Sequence, residues 1–403
     1  METGSPHLYR SRGRTQQHNE ATIQAAIEHA ARVQRRGLAS VLTLRHLAWR
    51  TGAPYLYLRE IVSRRRDPYH AFEIRRRSGK TRRLISSPEP TLMHAQRWIL
   101  SRILNPVDAH PASFAYQRSS SIRACASRHL GADWLIKLDL HNFFHSIDER
   151  QVYLIFHGLG YARLPAFELA RVCTRQATFT FPGTSRFRVM RHRDQVISDY
   201  DTSFLGYLPQ GAPTSGALAN LVARPLDDRL TVIADEHQLV YTRYADDITL
   251  SASRPFSRRR ASRIIHQVSL AVRAAGFLVH QKKTRVVPPG ARRIVLGLLV
   301  DGERVRVTRE LRSRVESHVY GAEKFGLASH QTARGFASAL GLIRHVDGLL
   351  AFAHDIDPTW ASPWWERWRR LVLSQAPVLA PFRLDSIDPP LDSQHLGSGL
   401  TCG

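Results

Sequence analysis

The chain has 403 residues, 43% of them hydrophobic, which is enough for a sizeable core divided among two or three subdomains. No apolar run approaches the roughly 20 residues of a membrane helix, and the opening METGSPHLYRSRGRTQQ lacks the apolar centre of a secretory signal. Cys125, Cys173 and Cys402 are scattered and odd in number, which excludes a disulfide framework or a zinc site and points to a reducing, cytoplasmic setting with no membrane association. The charge says more. Lys+Arg number 58 against 34 Asp+Glu, a net of +24, and only five residues are lysines. Guanidinium forks match phosphate geometry and stack on bases, so the expected partner is a nucleic acid. GC-rich coding would explain arginine in place of lysine but not the net excess.

Residues 1–18 are polar and basic and read as a flexible N-terminus. From Glu20 to Arg36, Ile23, Ala26, Ile27, Ala30 and Val33 repeat at helical spacing, with Gly37 as the stop. The densest basic run, VSRRRDPYHAFEIRRRSGKTRR at 62–83, reads as a hairpin with its tip at Ser78-Gly79-Lys80. Such a hairpin can lie over a phosphate chain or simply present a solvated charged face. Glu89 to Leu104 reads as a helix. Trp134 to Leu140 reads as a strand with Trp134, Ile136, Leu138 and Leu140 on one face and Lys137 and Asp139 on the other. Helices are expected over 149–178 and a loop or ribbon over 179–207. LPQGAPTSG at 208–216 is a turn opening a helix that Pro225 should kink. LVYTRYADDITLSAS at 239–253 is a hairpin, followed by a basic amphipathic helix to Ala275, a stop at Gly276 and a strand over Phe277–Val287. A further strand pair over 293–308 turns at Asp301-Gly302. Helices follow from Arg309 to Arg370, and the Pro-, Gly- and Ser-rich 376–403 reads as a disordered tail. Strand, helices, strand pair, helix, strand from 134 to 287 is the order of a split βαβ unit, an antiparallel sheet backed by helices. The fold class is α+β.

Asp246 and Asp247 stand side by side between two runs of strand-forming residues, where like charges repel and strands disfavour acids. A lone Asp there would be a turn or cap residue. A pair makes sense when divalent cations compensate it, because Mg²⁺ takes carboxylate oxygens, keeps waters and is completed by substrate phosphates. Two metals about 4 Å apart can activate a 3′-hydroxyl and stabilise a leaving pyrophosphate. The third carboxylate is expected to be Asp139, which ends its own strand.

YADD at 244–247 resembles the tyrosine-x-Asp-Asp signature of reverse transcriptases. LIKLDLHNFFHSID at 135–148 resembles their first catalytic block, and LPQGAPTSG their proline-glutamine-glycine block. GKTRRLISSPEPTLMHAQRWIL at 79–100 is similar to the fingers block of the bacterial enzymes, and AGFLVHQKKT at 275–284 to the block after the active-site hairpin. LPQGAPTS is closest to retron reverse transcriptases. SIRACASRHLG at 121–131 resembles a retron element but carries Cys125 where that element has asparagine, and Val295-Leu296-Gly297 departs from the retron valine-threonine-glycine.

The resemblance implies a right-hand polymerase: N-terminal helices and fingers over 19–135, a palm over 136–290 built on the split βαβ sheet, and a helical thumb over 291–375. It implies an RNA-directed DNA polymerase using dNTPs and two Mg²⁺ ions, with Mn²⁺ as a substitute. Asp139, Asp246 and Asp247 would hold the metals, with the Leu140 backbone close to one of them. Phe144 would be the steric gate against a ribose 2′-hydroxyl, or else a core aromatic like Phe143. Gln210 and Gly211 would turn beside the incoming nucleotide, and Lys80 and Arg82 would neutralise its triphosphate. Lys283 would be a general acid toward pyrophosphate, a plain phosphate contact or a solvated lysine. Tyr244 would pack near the primer end. His129 would contact structured RNA or be a structural histidine, and Arg312 and Arg314 would bind RNA from the thumb. Trp364 and Trp368, four apart, would pack a helix core, with base stacking the lesser reading.

The retron resemblance further implies a structured noncoding RNA as template and primer, its cDNA as product, initiation from a guanosine 2′-hydroxyl, a place in a bacterial antiphage system, and room for an effector protein. Rivals are a group II intron-like or other defence-associated reverse transcriptase and, from another class, a noncatalytic RNA-binding scaffold. The identity of the RNA and the oligomeric state are not legible in the sequence.

Overall fold

A computed structural model describes residues 6–75, 82–118, 120–176, 205–253 and 256–378. The chain divides into two compact units. The first takes Met1–Ser121 and Leu135–Val286, the second Ile122–Trp134 and Val287–Gly403.

The first unit opens with helices α1 (Pro6–Thr15), α2 (Glu20–Gln34), α3 (Leu44–Thr51) and α4 (Tyr55–Val62). The Asn19 side chain accepts from the Ala21 N–H at the start of α2. The basic hairpin follows as β1 (Tyr69–Arg75) and β2 (Arg82–Pro88), paired in register from Tyr69↔Pro88 to Arg75↔Arg82. Its expected tip, with Lys80, lies outside the described residues. Helix α5 (Pro90–Ile99) passes into a π-helical turn, Leu100–Leu104, within the single helix expected there. After α6 (Ile122–Ser127), which belongs to the second unit, comes β3 (Trp134–Asp139) and then α7 (Glu149–Gly158) and α8 (Arg163–Cys173). Most of the expected loop at 179–207 is outside the described residues; its last two residues form β5 (Gly206–Tyr207), which pairs with β4 (Arg175–Gln176).

Pro225 does more than kink a helix. It ends α9 (Ser215–Val222) and sits in the first turn of α10 (Arg224–Glu236), where its missing N–H has no intrahelical partner to lose. The hairpin β6 (Val240–Tyr244) and β7 (Asp247–Ala252) leads to α11 (Arg258–Ala274), capped by the Ser257 side chain and stopped at Gly276, φ +84°. The strand expected over Phe277–Val287 is corrected. Only β8 (Arg285–Val287) is a strand, because a 3₁₀ turn at Gln281–Lys283 interrupts the segment. Strand order in the resulting sheet is β6-β7-β3-β8, so β3 is central and its Leu135, Ile136 and Leu138 are buried.

A buried ionic node ties this unit together. Glu149, 3% exposed at the start of α7, accepts from Arg171 Nε at 2.8 Å, from the Gly206 N–H at 2.9 Å and from Arg64. Arg64 also donates to the Thr174 carbonyl at 2.8 Å, and Arg171 to the Val62 carbonyl at 2.7 Å. Every charge in the node has an opposite partner, the condition for burying ions at tolerable cost. The two guanidinium groups outweigh burial and hold the Glu149 carboxyl down at about 2.

In the second unit the expected strand pair over 293–308 is a three-stranded antiparallel sheet, β9 (Ile294–Val295), β10 (Leu298–Leu299) and β11 (Arg306–Val307), in the order β11-β10-β9. The turn missed from the sequence is Leu296-Gly297. Both residues have positive φ, +50° and +82°, the requirement of a type I′ hairpin, which leucine rarely meets and so does not announce. Helices α12 (Arg309–Phe325), α13 (Leu327–Ala333), α14 (Ala339–Ile356) and α15 (Pro358–Gln375) complete it. Trp368 is fully buried and its indole donates to Asp347 at 3.0 Å; Trp360, Trp364 and Trp365 pack partly buried around the same cluster. Trp368 is thus a core residue and Trp364 packs against the same cluster, the helix packing that their four-residue spacing implied. No helix among the described residues is long and apolar enough to cross a membrane.

A candidate carboxylate centre

Tyr244 pairs with Asp247 across the β6–β7 hairpin, so Ala245 and Asp246 form a two-residue turn. Ala245 takes φ +56°, a left-handed conformation that a residue with a Cβ adopts at a cost of about 1 kcal/mol. Three backbone hydrogen bonds bring the end of β3 to this turn and to the segment after α11. The Leu140 N–H donates to the Asp246 carbonyl at 2.8 Å, the His280 N–H to the Asp139 carbonyl at 2.7 Å, and the His141 N–H to the Leu278 carbonyl at 2.7 Å. Asp139, Asp246 and Asp247 therefore stand at one edge of the sheet, as neighbours from β3, the turn and β7.

Burial is the main force on Asp247, and it raises the carboxyl above the ordinary aspartate range; the negative charges of Asp246 and Asp139 add to it, while Lys137 and Lys283 oppose it. Lys283 Nζ lies 2.7 Å from Asp139 Oδ1, and Lys137 Nζ lies 4.0 Å from Asp247 Oδ2. The 3₁₀ turn that breaks the expected strand is what carries Lys283 to Asp139. Among the described residues no three carboxylate, histidine or cysteine side chains are already closed into a metal cage. The acids nonetheless fit a hard divalent cation. They offer only oxygen donors, they are partly open to solvent, and their mutual repulsion is answered at present by two ammonium groups, which a cation would relieve.

The proline-glutamine-glycine turn is fixed to the basic hairpin, since the Ser86 N–H of β2 donates to the Gln210 carbonyl at 2.8 Å. Gly211 has φ +116°, and a Cβ there would lie 2.9 Å from the Ser86 carbonyl oxygen and from an Ile85 methyl. Only glycine satisfies both constraints. Gly211→Ala is expected to push the turn off β2 and lower kcat/KM for dNTP incorporation at least tenfold, with the larger change in KM; steady-state incorporation by a folded variant checks it.

Phe144, in the 3₁₀ turn Phe144–Ser146, is 8% exposed and meets Phe143 and Tyr116 edge-on with ring centroids 5.5 and 5.9 Å away. Phe143 packs deeper, against Phe277. Tyr116 is half exposed at φ +59°, and a side chain at Gly216 would collide with its ring. Of the basic residues expected in the fingers, Arg82 begins β2 opposite Arg75.

Other expected binding residues lie in the second unit. His129 is fully buried beside Cys125 and Ala126, so direct RNA contact by this side chain is corrected to a structural place. Arg312 is committed to Asp357 at 2.8 Å and stacks over Trp360, which makes it a brace between α12 and α15 rather than a free phosphate ligand. Arg314 is half-buried on α12.

The sequence reading missed Arg243, Asp227 and Asn220, all buried beneath the acidic turn. An arginine between Thr242 and Tyr244 in an apolar strand was the available signal.

The family described as reverse transcriptase (RNA-dependent DNA polymerase) matches residues 74–300, a span that contains the acids, the glutamine-glycine turn and Lys283. The chain belongs to that family and is, by membership, an RNA-directed DNA polymerase. Among its relatives are retron reverse transcriptases. That of retron Ec86 from Escherichia coli is 29% identical over 72% of this chain and 77% of its own length. Those of retrons Mx162 and Mx65 from Myxococcus xanthus are 32% and 30% identical over 72% and 73% of this chain. The chain spans 58% and 62% of the length of these last two. The chain is of the retron type.

Proposed function

We propose that this protein copies a structured noncoding RNA into DNA by nucleotidyl transfer at Asp139, Asp246 and Asp247. The observation that carries the reading is the meeting of these three acids at one sheet edge, with Lys137 and Lys283 as their counter-ions. Two Mg²⁺ ions, held by the three carboxylates and the nearby Leu140 backbone, would supply hydroxyl activation and leaving-group stabilisation. The chain's own residues do the rest. Gln210 and Gly211 shape the nucleotide seat, Phe144 closes it against a 2′-hydroxyl, and Lys80 and Arg82 neutralise the triphosphate. Lys283, a hydrogen-bond donor to Asp139, would give up a proton toward pyrophosphate in this reading. In this reading the unit Met1–Ser121 with Leu135–Val286 provides fingers and palm of a right-hand polymerase, and the second unit the thumb.

The excess of +24 is matched to an RNA partner, and the proposal extends to an RNA that serves as both template and primer and to a place in an antiphage system, as the resemblance of the sequence blocks to retron enzymes implies. The test is to sequence nucleic acid that copurifies from the native host. A short DNA joined to RNA through a 2′ branch supports the retron reading. A linear product favours an intron-like or other defence-associated enzyme, and RNA with no DNA favours a noncatalytic scaffold.

A further inference from the structure

Beneath the acidic turn lies a charged pair from which solvent is excluded. Arg243 on β6 and Asp227 on α10 are both 0% exposed, and they meet in two hydrogen bonds, Nε to Oδ1 at 2.7 Å and an Nη to Oδ2 at 2.6 Å. The remaining guanidinium nitrogen is shared between the Asn220 side-chain oxygen and the Ala245 carbonyl, each at 3.1 Å. Ala245 is the left-handed residue of the turn. Asn220 in turn accepts from Ser113 Oγ at 2.9 Å and donates to the Ala115 carbonyl at 2.6 Å. The Arg243 backbone donates to Ala112 at 2.7 Å and accepts from Phe114 at 2.8 Å. Its guanidinium also lies 5.6 Å over the Phe143 ring.

A buried ion pair is weak evidence for a stabilising role, because well-packed apolar residues of the same volume often serve as well or better. What apolar residues cannot reproduce is the fork. One rigid plane fixes Asp227, Asn220 and the Ala245 carbonyl at once, and therefore fixes a strained turn relative to the 112–116 segment and Phe143. Lysine has the charge but not the geometry.

We infer that Arg243, with Asp227 and Asn220, is a positioning residue for the reaction: it clamps the Ala245 carbonyl and so sets where Asp246 and Asp247 stand relative to Asp139 and to the aromatic pair Tyr116–Phe144. The inference rests on the polymerase reading above and adds to it a requirement for the guanidinium plane, beyond stability.

The decisive variant replaces the pair by apolar side chains, Arg243→Met with Asp227→Leu, and adds Tyr241→Phe because the Tyr241 hydroxyl otherwise loses its acceptor Asp227. The triple variant is expected to melt within a few degrees of the parent and to bind template–primer as before. Its kcat for dNTP incorporation, taken per active site from the burst amplitude, should fall at least tenfold, with KM for dNTP changed less than threefold. Mn²⁺ binding to the nucleotide-free protein, read by electron paramagnetic resonance, should weaken at least threefold. A folded triple variant with kcat within twofold of the parent overturns the inference, as does a loss confined to the burst amplitude. Arg243→Lys covers the case in which the triple variant does not fold. It should show the same separation of kcat from KM, and parental kcat in a folded R243K protein overturns the inference equally. Parent protein that incorporates no dNTP on its own RNA removes the polymerase reading itself, whereas an active parent matched by active variants removes only the role of Arg243.

Discussion

Replacing Asp246 and Asp247 together with alanine is expected to reduce dNTP incorporation on the protein's own RNA by at least about a thousandfold, a barrier increase of roughly 4 kcal/mol. The two side chains supply most of the negative charge at the sheet edge, and Asp139 alone, already bonded to Lys283, cannot replace it. The same change should leave the fold intact or improve it. Burial and its two acidic neighbours hold the Asp247 carboxyl above its ordinary range, so the folded chain currently bears like charges in a partly desolvated place. Removing two of them relieves that repulsion, and the melting temperature should hold or rise while RNA binding persists. Loss of incorporation together with unchanged RNA affinity locates the chemistry at the turn. A double mutant as active as the parent sinks the assignment.

The second large effect is expected at Glu149, a residue given no part in the chemistry. Glu149→Ala leaves the Arg64 and Arg171 guanidinium groups buried without their carboxylate, and breaking such a node by removing one partner costs about 3–5 kcal/mol. The pH dependence follows from the depressed pKa. The folded carboxyl titrates at about 2, below its ordinary 4.5. The folded state therefore binds its proton less readily than the unfolded chain, and the stabilisation is fully present above about pH 4.5. It drains away as the pH falls through that value toward about 2. Urea midpoints for the unit containing Glu149 should fall across this window in the parent. In Glu149→Gln, which keeps the volume but not the charge, this component should be missing and the midpoint at pH 7 already low.

Much of the candidate site could be read directly, because its signals are local. Two acids between alternating apolar residues mark a hairpin turn in any context, and the glutamine-glycine turn announces a helix start. Asp139 was found because the two-residue side-chain alternation of a strand puts Lys137 and Asp139 on one face, opposite Ile136 and Leu138. What stayed hidden depends on tertiary partners. Glu149 reads as an ordinary first-turn acid, since nothing local shows that Arg64, 85 positions away, will meet it. Arg243 reads as one more arginine in a basic chain until α10 delivers Asp227. The strand expected after Gly276 failed for a related reason: QKK carries no helix or turn signature, and its 3₁₀ turn is bound up with the Lys283–Asp139 contact. The Leu296-Gly297 turn escaped because leucine is a poor predictor of positive φ.

The contact between Lys283 and Asp139 joins positions 144 residues apart. Contacts of that separation carry a large loop-closure entropy and tend to form late in folding. A chain emerging from the ribosome exposes Asp139 first, then Asp246 and Asp247, and only afterwards the lysine that neutralises the first of them. Until residue 283 is free to close on the sheet, the acidic centre has no complete set of internal counter-ions. Only when that segment has been made does the acidic centre become electrostatically whole, and a chain cut short before it would carry the signature acids without the means to settle them.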